Sequence, residues 1–205
     1  MPAFGGRGIG DRGSDEDSRV ALPSPDPGFR EGASPIPDPQ SPIPRRRRIL
    51  GIDPGLASTG WGVLDCEGGR LRHVCHGHIS TKPGEAPELR LLRIARGLRA
   101  VLDEHAPDEA AVEALFFGKN VSSAIPVAQA RGAVFLVLAE RGVPVAEFRP
   151  NAVKQGVAGV GSASKRQVQE MARVILGLGE VPSPDHAADA LGVAICAASF
   201  RGTLA

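Results

Sequence analysis

Cysteine is sparse, tyrosine is absent and no apolar run approaches membrane-spanning length. The 205 residues hold three isolated cysteines, Cys66, Cys75 and Cys196, none paired at metal-ligand spacing. This argues against a cysteine-bound metal and fits a reducing cytoplasm. The apolar stretches fall far short of about 18 residues, so no membrane span is expected. The amino terminus is polar and rich in Pro and Gly, which does not read as a secretory signal. Aromatic residues make up only 4% of the chain, so the adjacent Phe116 and Phe117 stand out. An excess of charge of one sign is missing as well, the net charge being +1. It is unevenly spread. Residues 1–44 carry four Arg against seven acids, and residues 45–205 carry 20 basic against 16 acidic residues. The body is therefore mildly basic, which permits nucleic-acid binding without requiring it.

What is present divides the chain in two. Residues 1–44 contain Pro-Ser-Pro-Asp-Pro at 23–27 and Pro-Ile-Pro-Asp-Pro at 35–39, with few large apolar residues. Such a segment buries too little surface to offset its ordering entropy and is expected to be a disordered tail. Residues 45–205 read as a single domain. Apolar strands are expected at 49–53, 60–66 and 71–79, the last two joined by the turn signal Gly68-Gly69. A helix over 87–105 places Leu91, Ala95, Leu98 and Leu102 on one face. A short strand at 110–114, a helix over 123–141 and a strand at 144–148 follow. Pro150 opens a short helix. Ser164-x-x-Gln167 forms a capping box for a helix ending near Gly177. Ser183 is read as the N-cap of a last helix with Pro184 in its first position. The order βββαβαβααα implies a mixed five-stranded α/β sheet with helices on both faces.

Four metal-capable side chains stand where such a fold gathers them. Asp53 ends the first strand, in Gly-Ile-Asp-Pro-Gly, where Pro54 keeps it extended and Gly55 lets the chain turn away. Glu113 ends the apolar Ala111-Val112, and a charge there needs a partner. His186 and Asp189 lie three apart on one face of the last helix, with Asp185 within reach. Singly, each has an ordinary reading: a turn Asp, a salt-bridged Glu, helix-terminal acids, a surface His. Together, strand ends and helix face would bring three carboxylates into one place. Two such charges at about 4 Å repel by about 4 kcal/mol at an effective dielectric of about 20. Cations relieve that repulsion, and oxygen ligands select Mg²⁺ or Mn²⁺. Two ions about 3.5–4 Å apart serve phosphodiester hydrolysis.

Two stretches lack acidic residues altogether. Residues 148–169 carry Arg149, Lys154, Lys165 and Arg166, and residues 114–139 carry Lys119 and Arg131. Both read as phosphate-facing surfaces. The series Arg90, Arg93, Arg96 and Arg99 reads as the solvated side of an amphipathic helix.

The ordered set of motifs resembles the RuvC family of Holliday-junction resolvases. It comprises Ile49-Leu-Gly-Ile-Asp-Pro-Gly55 with Thr59-Gly60, and Val112-Glu113 with Phe116, Lys119 and Asn120. Gln129-Ala-Arg-Gly132, Pro150-x-x-Val-Lys-Gln155, Gly159-x-Gly161-x-Ala-x-Lys165 and Asp185-His-Ala-Ala-Asp-Ala-Leu191 complete it. The resemblance covers about Arg48 to Phe200. It implies an RNase H-like fold, a homodimer and paired nicks across a four-way DNA junction. It also implies a link to the RuvA and RuvB branch-migration proteins. By position it makes Asp53, Glu113 and Asp189 metal-binding carboxylates and Phe116 a stacking residue at the junction centre. It puts His186 where many members have Asp. Lys154 and Lys165 match basic positions beside the active site.

Three other readings compete. An actin- or sugar-kinase-type ATPase also begins with Gly-x-Asp-x-Gly, but it needs a second domain and a second phosphate loop that this chain lacks. A YqgF-type nuclease acting on RNA would lack a reason for the paired Lys154 and Lys165. A non-catalytic junction-binding protein would lack a reason to keep Asp53, Glu113 and Asp189.

Overall fold

The structure, a computed structural model, describes residues 46–115 and 121–200. The expected tail over 1–44 lies outside the described residues. The elements are β1 (Arg47–Asp53), β2 (Ser58–Glu67), β3 (Arg70–Ser80), α1 (Pro87–His105), β4 (Glu109–Glu113), α2 (Val121–Glu140), β5 (Val145–Phe148), α3 (Pro150–Ala158), α4 (Lys165–Leu176) and α5 (Asp185–Ser199). The sheet runs β3-β2-β1-β4-β5. β1, β2 and β3 pair antiparallel, while β1, β4 and β5 run parallel.

Period-2 alternation sends each strand's side chains to two cores. Leu50, Ile52 and Val63 meet Ile94 and Leu98 of α1 and Val134 and Leu138 of α2 on one face. Ile49 and Leu64 meet α3, α4 and α5 on the other, through Val153, Val168, Leu191 and Ile195. Every expected element is present, with ends shifted by one or two residues. Gly68 and Gly69 both have positive φ, as the β2–β3 turn requires.

One polar cluster is built into the sheet. The Asp65 carboxylate is nearly buried and accepts from Arg46, Arg48 and Arg72 at 2.7–2.9 Å. Burial alone would raise its pKa, but the three guanidiniums hold it well below the usual carboxylate range.

Two details depart from the sequence reading. Ser183 is not the cap of α5. Pro184 is extended (φ −74°, ψ 174°) and caps the helix through its carbonyl, which accepts from Ala187 and Ala188 backbone N–H at 2.9 and 3.2 Å. β3 also carries a bulge opposite Val63 and Leu64, since Val63 pairs with Cys75 and Leu64 with His73, leaving Val74 extra.

α5 lies on β1 and β2 closer than side chains would allow. A Cβ at Gly60 would collide with the His186 carbonyl oxygen, and one at Gly51 with that of Ala190. Glycine at these two sheet positions therefore sets the height of α5 above the end of β1.

Candidate active site

Asp53 and Glu113 end adjacent parallel strands, because Ile52 of β1 is in register with Val112 of β4. The turn that follows Asp53 is pinned by the buried Thr59, whose hydroxyl donates to the Gly55 carbonyl at 2.8 Å. α5 crosses this end of the sheet with His186 and Asp189 on the facing side. His186 Nδ1 sits 2.8 Å from Asp53 Oδ2. Ligand atoms of Asp53, His186 and Asp189 all lie within 4.8 Å of one another. Two carboxylate oxygens and one imidazole nitrogen at this spacing fit a divalent cation that prefers oxygen donors and accepts imidazole.

The electrostatics follow from crowding like charges in a half-buried place. Burial raises the Glu113 pKa first, the charges of Asp53 and Asp189 add to it, and Lys165 and Lys154 only partly offset them, leaving it at about 7. Asp189 is raised by burial, against the pull of Lys165. His186 is raised by its hydrogen bond to Asp53, against burial. Lys165 would be lowered by burial, but its contacts with Asp189 and Asp185 leave it raised. Lys165 Nζ lies 2.7 Å from Asp189 Oδ2 and 3.5 Å from Asp185 Oδ2. Asp185 itself is largely exposed and stands outside the cluster.

A cleft of about 200 Å³ opens beside these groups, lined by Asp53, Glu113, Leu115, Val127, Arg131 and Pro150 among others. Its floor is held by Arg131. The guanidinium donates to the Glu113 carbonyl at 2.6 Å, pairs with Glu147 and stacks on Phe135 at 4.6 Å from the ring centroid. Arg149 caps α3 and is exposed, Lys154 is half-buried on α3, and Arg166 is exposed beside Lys165 in the first turn of α4. Phe116 and Lys119 lie outside the described residues.

Sequence reasoning missed Gln169. It is 9% exposed, and its Nε2 donates to Asp189 Oδ1 at 3.3 Å. The available signal was a polar amide on the apolar stripe of α4, next to Val168 and three residues before Ala172. The bracing role of Arg131 was missed too, since its partners lie 16 and 18 residues away in sequence.

The chain is similar to known proteins in sequence and fold. The family model described as crossover junction endodeoxyribonuclease RuvC matches residues 49–197. A protein of that name from Chloroflexus aggregans is 56% identical over 157 residues, covering 77% of this chain and 96% of the relative. One from Brevibacillus brevis is 52% identical over 154 residues, covering 75% and 93%. Among solved structures, T. thermophilus RuvC in complex with Holliday junction substrate is 40% identical, with TM-score 0.70 over 73% of this chain and 92% of that one. The yeast mitochondrial Holliday junction resolvase Ydc2 shares the fold at TM-score 0.54 and 14% identity, over 77% of this chain and 82% of that one. A family match across 149 positions, together with relatives more than half identical over nearly their whole length, places this chain in the RuvC family of crossover junction endodeoxyribonucleases.

Proposed function

We propose that the chain resolves four-way DNA junctions by metal-dependent hydrolysis, with Asp53, Glu113, His186 and Asp189 as the metal-binding and catalytic set. The observation that carries this is the convergence of Asp53, His186 and Asp189 within 4.8 Å beside Glu113. Water adds to phosphorus and the bond to the 3′-oxygen breaks, leaving a 3′-hydroxyl and a 5′-phosphate that a ligase can join. Mg²⁺ or Mn²⁺, two ions per site, would activate the water and stabilise the leaving oxygen.

The protein's own groups do the rest. Asp53 holds the His186 ring by Nδ1, and among the described residues no hydrogen bond occupies Nε2, which would be the nitrogen to bind or to take a proton. Gln169 fixes one oxygen of Asp189, and Lys165 neutralises the other. Lys165 and Lys154 would turn to the scissile phosphate when DNA arrives, with Arg149 and Arg166 on the flanking backbone. Arg131 lines the cleft within reach of the strand. Phe116 and Lys119 are assigned to the junction centre by family position alone. Two copies would act on one junction, and α2 is the proposed interface because Ile125 and Leu136 are more than half exposed there. Among the described residues, no helix is long and apolar enough to cross a membrane. A cytoplasmic role in recombination and DNA repair, alongside RuvA and RuvB, completes the proposal.

The test uses a synthetic mobile four-way junction with Mg²⁺ and separately with Mn²⁺, beside an Asp53→Asn control. Paired, ligatable nicks by the parent, and binding without cutting by the control, are expected. Binding without cutting by the parent in both metals would sink the nuclease reading, and equal action on linear duplex would sink junction selectivity.

A further inference from the structure

The face of the sheet that carries α5 continues past it onto β3, the edge strand. Register places three histidines there. His73 is opposite Leu64, His76 opposite Gly62 and His78 opposite Gly60. Leu64 packs in the α5 core, so side chains paired with it and with its i−2 and i−4 neighbours point to that same face. Residues 73 and 76 would face opposite ways in a regular strand, because three is an odd step. The bulge at Val74 removes this conflict: Val74 and Cys75 both turn to the α1 face, and His73 and His76 both turn to the α5 face. Bulges at sheet edges commonly re-aim a side chain in this way.

The two rings meet closely. His73 Nε2 and His76 Nδ1 are 2.8 Å apart, with ring centroids at 5.0 Å. Both side chains are half-buried, and among the described residues neither ring makes another hydrogen bond. His78, two residues on, is exposed. The proposed nuclease chemistry uses none of the three.

We propose that His73 and His76 form a two-imidazole site for a borderline transition-metal ion of the Cu²⁺ or Ni²⁺ class, distinct from the carboxylate site. Imidazole is the natural ligand of such ions, and this site offers no carboxylate from its own strand to favour Mg²⁺. Two nitrogens at right angles on an ion with bonds of about 2.0–2.1 Å are about 2.9 Å apart, whereas tetrahedral angles require about 3.4 Å. The observed 2.8 Å is that of a hydrogen bond; it brings both nitrogens close enough to reach one ion at adjacent positions, and the preference for this class of ion comes from the imidazole donors. Loading rotates the two rings so that both lone pairs face the ion, and the proton between them moves to an outward nitrogen. Asp53, Gly60 and His78 lie in one row across three neighbouring strands, so His78 stands about 10 Å from Asp53, and His76 and His73 lie further along β3. One ion cannot serve both places.

Cu²⁺ is the probe, and a His186→Asn background leaves the carboxylate site without an imidazole. The full chain has five histidines, so nitrogen counting is informative. Frozen-solution electron paramagnetic resonance with one equivalent of Cu²⁺ is expected to show coupling to at least two nitrogens. In competition titrations His73→Gln and His76→Gln should each weaken that Cu²⁺ at least tenfold. A spectrum without such coupling overturns the proposal and needs no change on β3. So does an affinity within twofold of the parent in both single variants, whose folding is checked by circular dichroism. The outcome is independent of junction cleavage, since no step of the measurement involves DNA.

Discussion

The Glu113 carboxyl is in conflict with its surroundings: it is partly buried and faces two further carboxylates. Its pKa of about 7 lies above the value of 4.5 it has when unfolded. A group raised in this way contributes stability fully below about pH 4.5 and loses it as pH rises through about 7. Glu113→Gln should remove the loss. In EDTA at pH 8 the variant is expected to be more stable than the parent by about 1–3 kcal/mol, and near pH 4.5 the two should agree. Urea unfolding at the two pH values measures this, and a gap that does not widen with pH would refute it. The same change should depress cleavage at least a hundredfold. A site that is costly to fold when metal-free is the usual counterpart of metal affinity. At this scale the sequence was informative where chemistry sits at an element's end. Asp53 closes an apolar strand, Glu113 closes another, and His186 and Asp189 share a helical face. The contacts of Gln169 with Asp189 and of Arg131 with the Glu113 carbonyl and Glu147 were not legible, because a side chain's long-range partner leaves no local pattern. Arg131, read as a phosphate contact from an acid-free stretch, has its guanidinium on the Glu113 carbonyl and on Glu147.

The elements were legible because their periodicities are clean. α1 spans the expected residues, and the capping box at Ser164 forms as read, with Gln167 N–H donating to the Ser164 hydroxyl. What the pattern did not carry was the approach of one element to another. The height of α5 depends on Gly60 and Gly51, and a glycine in a strand signals close approach without naming the partner. Two substitutions separate that role from ordinary packing. Gly60→Ala puts a methyl group against backbone at His186, so α5 must lift and carry His186 and Asp189 with it. A loss of about 1–3 kcal/mol in stability is expected, with cleavage falling at least a hundredfold. Gly192, inside α5, would place its methyl 3.6–3.9 Å from Val168, Val153 and Val157, which is normal contact. Gly192→Ala should therefore stabilise by about 0.5–1 kcal/mol through helix propensity and leave cleavage unchanged. Thermal melts and a junction assay on both variants check the pair. Equal effects would mean that the glycines do not set the helix position. The β3 bulge was equally hidden, since Val74 and Cys75 are both apolar enough to face a core and the alternation gives no sign of the slip.

At the scale of the whole molecule, the described part of one chain holds one cluster of three metal-capable groups. The proposed paired nicks in two strands would then need two copies, and the copies would need a face. α2 offers one. Ala130, Val134, Val137 and Leu138 are buried in its own core, while Ile125 and Leu136 are 56% and 58% exposed on the other side. Exposed large apolar side chains that share one helix face mark that face as the candidate interface. Val127 and Arg131 of the same helix line the cleft beside Asp53, so partner contact and cleft geometry share one rigid element. Leu136→Glu would place a charge on that face, where an unpaired buried charge costs several kcal/mol. If the proposed dimer forms through this face, the variant is expected to sediment as a monomer at concentrations where the parent sediments as a dimer, with a melting temperature changed little because Leu136 lies outside the core. On a four-way junction it should still nick at a reduced rate, but the two nicks should become uncorrelated. A supercoiled plasmid with an extruded cruciform distinguishes the outcomes, since coupled cutting gives linear product directly and uncoupled cutting accumulates nicked circles. A variant that stays dimeric and still linearises the plasmid would move the interface off α2 while leaving the assignment of the carboxylate site intact.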